Sequence, residues 1–223
     1  NTIRIKGREI SRRTIIATAV AVILVPLTIY FGVHNLGNRK YYFISILIIL
    51  EIMVPYIISF EKSKPNVREL VIISVLCALS VCGRMAFFWL PQFKPVVAMV
   101  IIAGVTLGGE TGFLVGVITG FVSNFLFGQG AWTPWQMTAF GMVGLVSGLL
   151  FSKRGIGVTK LRLVIFGLVS TVILYGGIVN AEYILVWQEN PTWDMVVATY
   201  LAGLPFDLVH GVSTAIFLWF IAE

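Results

Sequence analysis

The chain is organised by apolar runs about as long as a bilayer is thick. A helix needs about 20 apolar residues to cross the hydrocarbon. Six stretches meet or approach that length: Thr14–Val33, Tyr41–Phe60, Glu69–Phe88, Gln136–Ser152, Arg162–Trp187 and Thr199–Ala222. A further apolar block, Pro95–Gly128, is too long for one helix. It is broken at Leu107-Gly108-Gly109-Glu110-Thr111, which reads as a tight turn between two short, Gly-rich spans. The pattern predicts an all-α, polytopic membrane helix bundle of about eight transmembrane helices. Composition agrees: 58% of residues are hydrophobic and 12% charged, against roughly 45–50% and about 25% in soluble domains.

Orientation follows from the basic residues, which concentrate in cytoplasmic loops. With the N-terminus inside, eight spans put Arg4, Lys6, Arg8, Arg12, Arg13, Lys62, Lys64, Arg68, Lys153, Arg154, Lys160 and Arg162 on the cytoplasmic side. Only Arg39, Lys40, Arg84 and Lys94 fall toward the outside. Miscounting one span would destroy this bias, so both termini are expected to be cytoplasmic in a multi-pass protein of the cell membrane. The net charge of +6 is then explained by contact with anionic lipid headgroups, with no need for nucleic acid. The first apolar run is full length and lacks a small-residue cleavage site, so no cleavable signal peptide is expected.

Under this topology the connections on the outer side are unusual. They are Trp89-Leu90-Pro91-Gln92-Phe93-Lys94-Pro95, the GQGAWTPWQM stretch of Gly128–Met137, and Trp187-Gln188-Glu189-Asn190-Pro191-Thr192-Trp193-Asp194. Each places tryptophan beside an amide and a proline, whereas the inner connections at Gly108–Thr111 and Ser152–Arg162 hold no aromatic residue. An interfacial aromatic belt would mark both membrane faces and would not supply the amides. A binding site would: rings give apolar contact and stacking, amides fix orientation, and prolines limit the entropy lost on closure. The expected wall is Trp89, Gln92, Phe93, Lys94, Asn124, Gln129, Trp132, Trp135, Gln136, Tyr183, Trp187 and Gln188.

Polar residues inside spans are costly and usually functional. Of Arg84, Asn124, Asn180, Glu182, Asp207 and His210, most fall toward the same outer side. Arg84 and Asp207 have similar expected depth, which suggests an ion pair, either as structural glue or as part of the site. Glu51 stands alone near the middle of its span, and packing against a neighbouring helix is the expectation for it. Cys77 and Cys82, five apart on one span, fit neither a disulfide nor a metal site.

Small residues recur at four-residue spacing: Ser74, Ala78 and Cys82 on one span, then Gly104, Gly108, Gly112, Gly116 and Gly120, then Gly141, Gly144 and Gly148. Such faces let helices approach closely. Internal packing accounts for most of them, and one face is available for another subunit. No phosphate-binding loop, His-Glu-x-x-His pair or Ser-His-Asp set is present, so the chain is expected to be no enzyme and to bind neither metal nor cofactor.

These residues carry a resemblance. The run PQFKP (Pro91–Pro95) leading into Val96–Phe151, with its GQGAWTPWQM segment, resembles the substrate-binding S component of an energy-coupling factor (ECF) vitamin transporter. The last span, PFDLVHGVSTAIF (Pro205–Phe217), is similar to the final helix of that family. The resemblance implies a six-helix substrate-binding core over residues 68–223, preceded by a basic arm and two extra spans in residues 1–67. It implies a prokaryotic uptake system in which the chain binds a vitamin from outside, while a transmembrane coupling subunit and two ATPases supply the energy. In the family a small-residue motif on the first core helix contacts the coupling subunit; here the matching face is Ser74, Ala78 and Cys82, a departure from the usual alanine pair. The outer loops most resemble cobalamin-specific members, which makes cobalamin the expected substrate. Riboflavin or a queuosine precursor would also stack on tryptophan. A self-sufficient proton-coupled transporter, using Glu51, Asp207 and His210, is the competing reading.

Overall fold

The computed structural model describes residues 2–5, 8–11, isolated positions between 16 and 61, and residues 67–151, 157–188 and 191–222. A short antiparallel pair, β1 (Thr2–Ile5) and β2 (Arg8–Ser11), precedes an otherwise helical chain. The helices are α1 (Val67–Ala86), α2 (Val96–Leu107), α3 (Gly109–Phe127), α4 (Trp132–Phe151), α5 (Lys160–Ser170), a π-helical turn (Thr171–Tyr175), α6 (Gly176–Trp187) and α7 (Trp193–Ile221). Since α5, the π turn and α6 form one continuous helix, five helical segments among the described residues are long and apolar enough to cross a membrane, and α2 is a shorter apolar helix. The polytopic helix bundle read from the apolar runs is therefore the observed architecture.

Several boundaries move for local reasons. The turn between α2 and α3 is Gly108 alone, at φ 102°; this left-handed conformation costs glycine nothing, so Gly109, Glu110 and Thr111 already belong to α3. With 12 residues, α2 rises only about 18 Å and falls short of a full crossing. The fourth helix starts at Trp132 rather than Gln136, because Pro134 lies in the first turn, where its missing N–H has no partner to lose. Both tryptophans of the GQGAWTPWQM stretch are thus on the helix, and the loop shrinks to residues 128–131. The last helix begins at Trp193, with the Thr192 hydroxyl accepting from the Met195 N–H.

The core is built by close approach of α2, α3 and α4. A side chain on Gly104 would fall on the Gly144 carbonyl, one on Gly112 on the Gly104 backbone, and one on Gly148 on the Gly109 backbone. The Ser147 hydroxyl, between the Gly144 and Ile101 carbonyls, lies in this seam. The glycine spacing on α2, α3 and α4 thus serves internal packing. Around the seam lie Val97, Ala98, Ile101, Phe140 and Val143, all essentially inaccessible. The α7 helix runs antiparallel to α5 and α6, with Gly167 against Leu218 and Thr214, and Gly176 against Asp207.

Of the two N-terminal runs only isolated positions are described. Thr28 donates a hydrogen bond to Glu51 Oε1, linking the runs, while Glu51 Oε2 is buried without a partner. Met53 packs against Phe113, Val117 and Leu145 of α3 and α4. Lys62 and Lys64, expected in a cytoplasmic loop, Arg39 and Lys40, expected outside, and Lys153 and Arg154, expected inside, lie outside the described residues.

Candidate functional site

At the end of the bundle where α1 and α3 finish and α4 begins, polar side chains converge on Arg84. This residue ends α1 and is 8% exposed. Its Nη1 donates to the Ser123 hydroxyl and to Asn124 Oδ1 at 2.8 Å, and its Nη2 to Gln136 Oε1 at 3.3 Å. Gln136 Nε2 in turn donates to the Tyr175 hydroxyl at 2.9 Å. Asn124 Nδ2 donates to Thr133 Oγ1, and the same hydroxyl oxygen receives the Gly130 N–H, which ties the short α3–α4 loop into the cluster. Four elements therefore share one hydrogen-bonded chain.

Aromatic rings enclose it. The Arg84 guanidinium lies 4.3 Å from the Phe127 ring centroid and 5.9 Å from that of Phe140, a cation–π arrangement strengthened away from water. Phe140 and Tyr175 stack at 4.8 Å, and His210 of α7 meets Tyr175 edge-on at 4.8 Å. Tyr175 closes the π turn; the widened turn, with the Thr171 hydroxyl bonded to Gly167 O and to Thr214, sets where the ring points. Such single π turns are frequent at functional sites.

The α1–α2 connection forms the neighbouring wall. Lys94 Nζ donates to the Phe87 and Leu90 carbonyls and lies 5.7 Å from the Phe127 ring centroid. Partial burial and the positive charge of Arg84 hold its ammonium below the ordinary lysine range. The Lys94 carbonyl accepts from Ser213 of α7, and Phe93 packs with Phe87 and Phe217. Gln92 holds a left-handed backbone at φ 56°, a conformation uncommon outside glycine.

Among the residues expected from sequence, Phe93, Lys94, Asn124 and Gln136 are therefore drawn together with Arg84. Trp135 is buried on α4. Gln129 donates to the Phe121 carbonyl at the rim, and Trp132 lies beside Gly130. Trp89, Tyr183, Trp187 and Trp193 are exposed; Trp187 Nε1 donates to Glu182 at 3.1 Å, and Gln188 follows the end of α6. The expected Arg84–Asp207 ion pair is not formed: Arg84 bonds to neutral side chains, and Asp207 accepts from Asn180 at 2.8 Å. The two residues bond to different neighbours. The sequence reading missed Tyr175, Ser123, Phe127 and Phe140. A signal existed for Tyr175, since a tyrosine inside an apolar span needs a partner for its hydroxyl.

Ser74, Ala78 and Cys82 line one exposed face of α1, opposite the buried Ile73, Cys77 and Ser80. The Ser74 hydroxyl is turned back onto the Leu70 carbonyl, so this face is apolar and smooth.

A family model described as "ECF-type riboflavin transporter, S component" matches residues 64–222. Similar sequences include a UPF0397 protein of Vibrio atlanticus (strain LGP32), 31% identical over 122 residues, which are 52% of this chain and 66% of the relative. A UPF0397 protein of Aliivibrio salmonicida (strain LFI1238) is 33% identical over 100 residues, 42% of this chain and 54% of the relative. One from Aliivibrio fischeri (strain MJ11) is 33% identical over 89 residues, 38% and 48%. The chain thus spans roughly half to two thirds of these curated relatives. No solved structure matches it.

Proposed function

The chain belongs to the family of ECF-type riboflavin transporter S components, and from that premise we propose that it is the membrane-embedded, vitamin-binding subunit of an ATP-driven uptake system. The observation that best supports a binding site is the buried chain Arg84, Gln136, Tyr175. Its side chains bear donors and acceptors, and the faces of Phe127, Phe140 and Tyr175 bound it. Flat rings beside a few placed polar groups suit a flat heteroaromatic vitamin, and a flavin, riboflavin or its 5′-phosphate, is the first candidate. Cobalamin is a second reading, favoured by the exposed Trp89, Trp187 and Trp193 at the same end, which offer a broad surface to a corrinoid and its peripheral amides.

The positive-inside bias supports a cytoplasmic location for both termini and an outward location for this cluster. The exposed face of Ser74, Ala78 and Cys82 suits close approach of a transmembrane coupling subunit, with two ATPases beyond it. The chain would act as passenger and receptor, and hydrolysis would belong to its partners.

Calorimetric titration of the purified chain with riboflavin, cobalamin and a queuosine precursor tests this. The expectation is tight binding of one vitamin, and uptake into vesicles only when the coupling subunits and ATP are present. Uptake by the chain alone, driven by a proton gradient, would replace this function with an ion-coupled transporter.

A further inference from the structure

The Arg84 cluster is rich in positive charge, and among the described residues no carboxylate bonds to Arg84. All three hydrogen bonds from the guanidinium end on neutral oxygens, so two of its five N–H groups, Nε–H and one on Nη2, have no partner among the described residues. The second cation, Lys94, reaches only backbone carbonyls. Both cations lean on the same ring, Phe127. Edge-on to the Tyr175 ring, His210 is 3% exposed and both of its ring nitrogens are buried without a hydrogen bond. Two intramembrane acids are engaged elsewhere: Asp207 with Asn180, and Glu182 with Trp187.

An unbalanced buried cation beside an unsatisfied imidazole is expensive in a membrane, and such groups persist where something else supplies the missing partners. Resting on the vitamin-binding reading above, we propose that the substrate carries an ionised acid group, a carboxylate or phosphate, that binds against Arg84 and Lys94 within reach of His210. A carboxylate accepts two N–H bonds from guanidinium in parallel, matching the two donors left over. Its ring system would lie among Phe127, Phe140 and Tyr175, so the ligand is a flat ring bearing an anion rather than a neutral ring alone.

The test uses matched pairs differing only in the acid: riboflavin 5′-phosphate with riboflavin, nicotinate with nicotinamide, and biotin with its amide, each titrated into the purified full chain in chloride-free gluconate buffer. The acid is expected to bind at least about 30-fold more tightly than its neutral partner in whichever pair is bound, as for one lost partner of a buried charge pair. Arg84→Gln should erase that preference. Lys94→Gln, in a connection rather than a span, should reduce it and serves if Arg84→Gln fails to fold. His210→Leu should weaken the acid alone. Equal or tighter binding of neutral riboflavin or cobalamin, with the variants weakening both members of a pair alike, would overturn the anion and leave the transporter subunit standing. A neutral vitamin that binds only when chloride is restored would likewise overturn it, by making the anion a separate ion. Silence from every pair and from cobalamin would overturn both readings.

Discussion

The α3 and α4 helices are built to two different rules along their length. Near Gly109, Gly112, Gly144 and Gly148 they meet α2 backbone to backbone, in a seam with no charged side chain and little room for any side chain at all. Near Asn124, Thr133 and Gln136 the same pair instead carries polar side chains that meet an arginine and aromatic rings. The first region fixes the scaffold by van der Waals contact, the term that dominates helix association in lipid. The second region leaves donors unpaired, which a scaffold has no reason to do. The glycine seam and the proposed recognition site are thus separated by about three helical turns on one pair of helices.

Substitutions in the seam should have the largest effect. Gly144→Leu would drive four heavy atoms into the Gly112 backbone and should cost about 3 kcal/mol or more. Detergent-solubilised protein should melt many degrees lower or fail to elute as a single species. If Gly144→Leu kept its melting temperature, the division between the two regions would collapse.

Next in size is the polar end. Tyr175→Ala removes the ring between Phe140 and His210 and the acceptor for Gln136. Vitamin affinity should fall at least about 100-fold, with a smaller drop in melting temperature than Gly144→Leu. The milder Tyr175→Phe deletes only the hydroxyl, worth about 1 kcal/mol, and should weaken binding about fivefold.

A third substitution separates binding from transport. Ala78→Leu on the exposed α1 face should leave vitamin affinity within about twofold while reducing ATP-dependent uptake with the coupling subunits, since a branched side chain blocks close helix approach. Equal uptake by the variant would remove α1 as the docking face. The smallest effect is expected at Gly177, where an added Cβ meets nothing within 4 Å. Gly177→Ala should raise stability by up to about 1 kcal/mol with no change in binding.

Much of this was legible in sequence because the bilayer imposes lengths. The apolar runs gave the helices, and the four-residue glycine spacing gave the α2–α3–α4 seam. Of the polar residues within spans, Arg84 and Asn124 meet in one hydrogen-bonded cluster. Azimuth was not legible: nothing in a linear pattern says that Arg84 faces Asn124 and Asp207 faces Asn180. The π turn at Thr171–Tyr175 has no compositional mark, so Tyr175 read as one more apolar residue while the exposed Tyr183 was preferred. The outer tryptophans drew attention as large flat surfaces, but a ring at a helix end points as readily to lipid as to a ligand. Trp89 is 88% exposed.

One titration series tests the central claim most directly: vitamin binding by the purified chain, by Tyr175→Ala, and by a Trp89→Ala/Trp187→Ala double variant. The polar cluster as the recognition site predicts loss of binding in Tyr175→Ala with the helical fold retained, and near-normal binding in the tryptophan variant. Full binding by Tyr175→Ala together with loss in the tryptophan variant would contradict it and move the site to the rim.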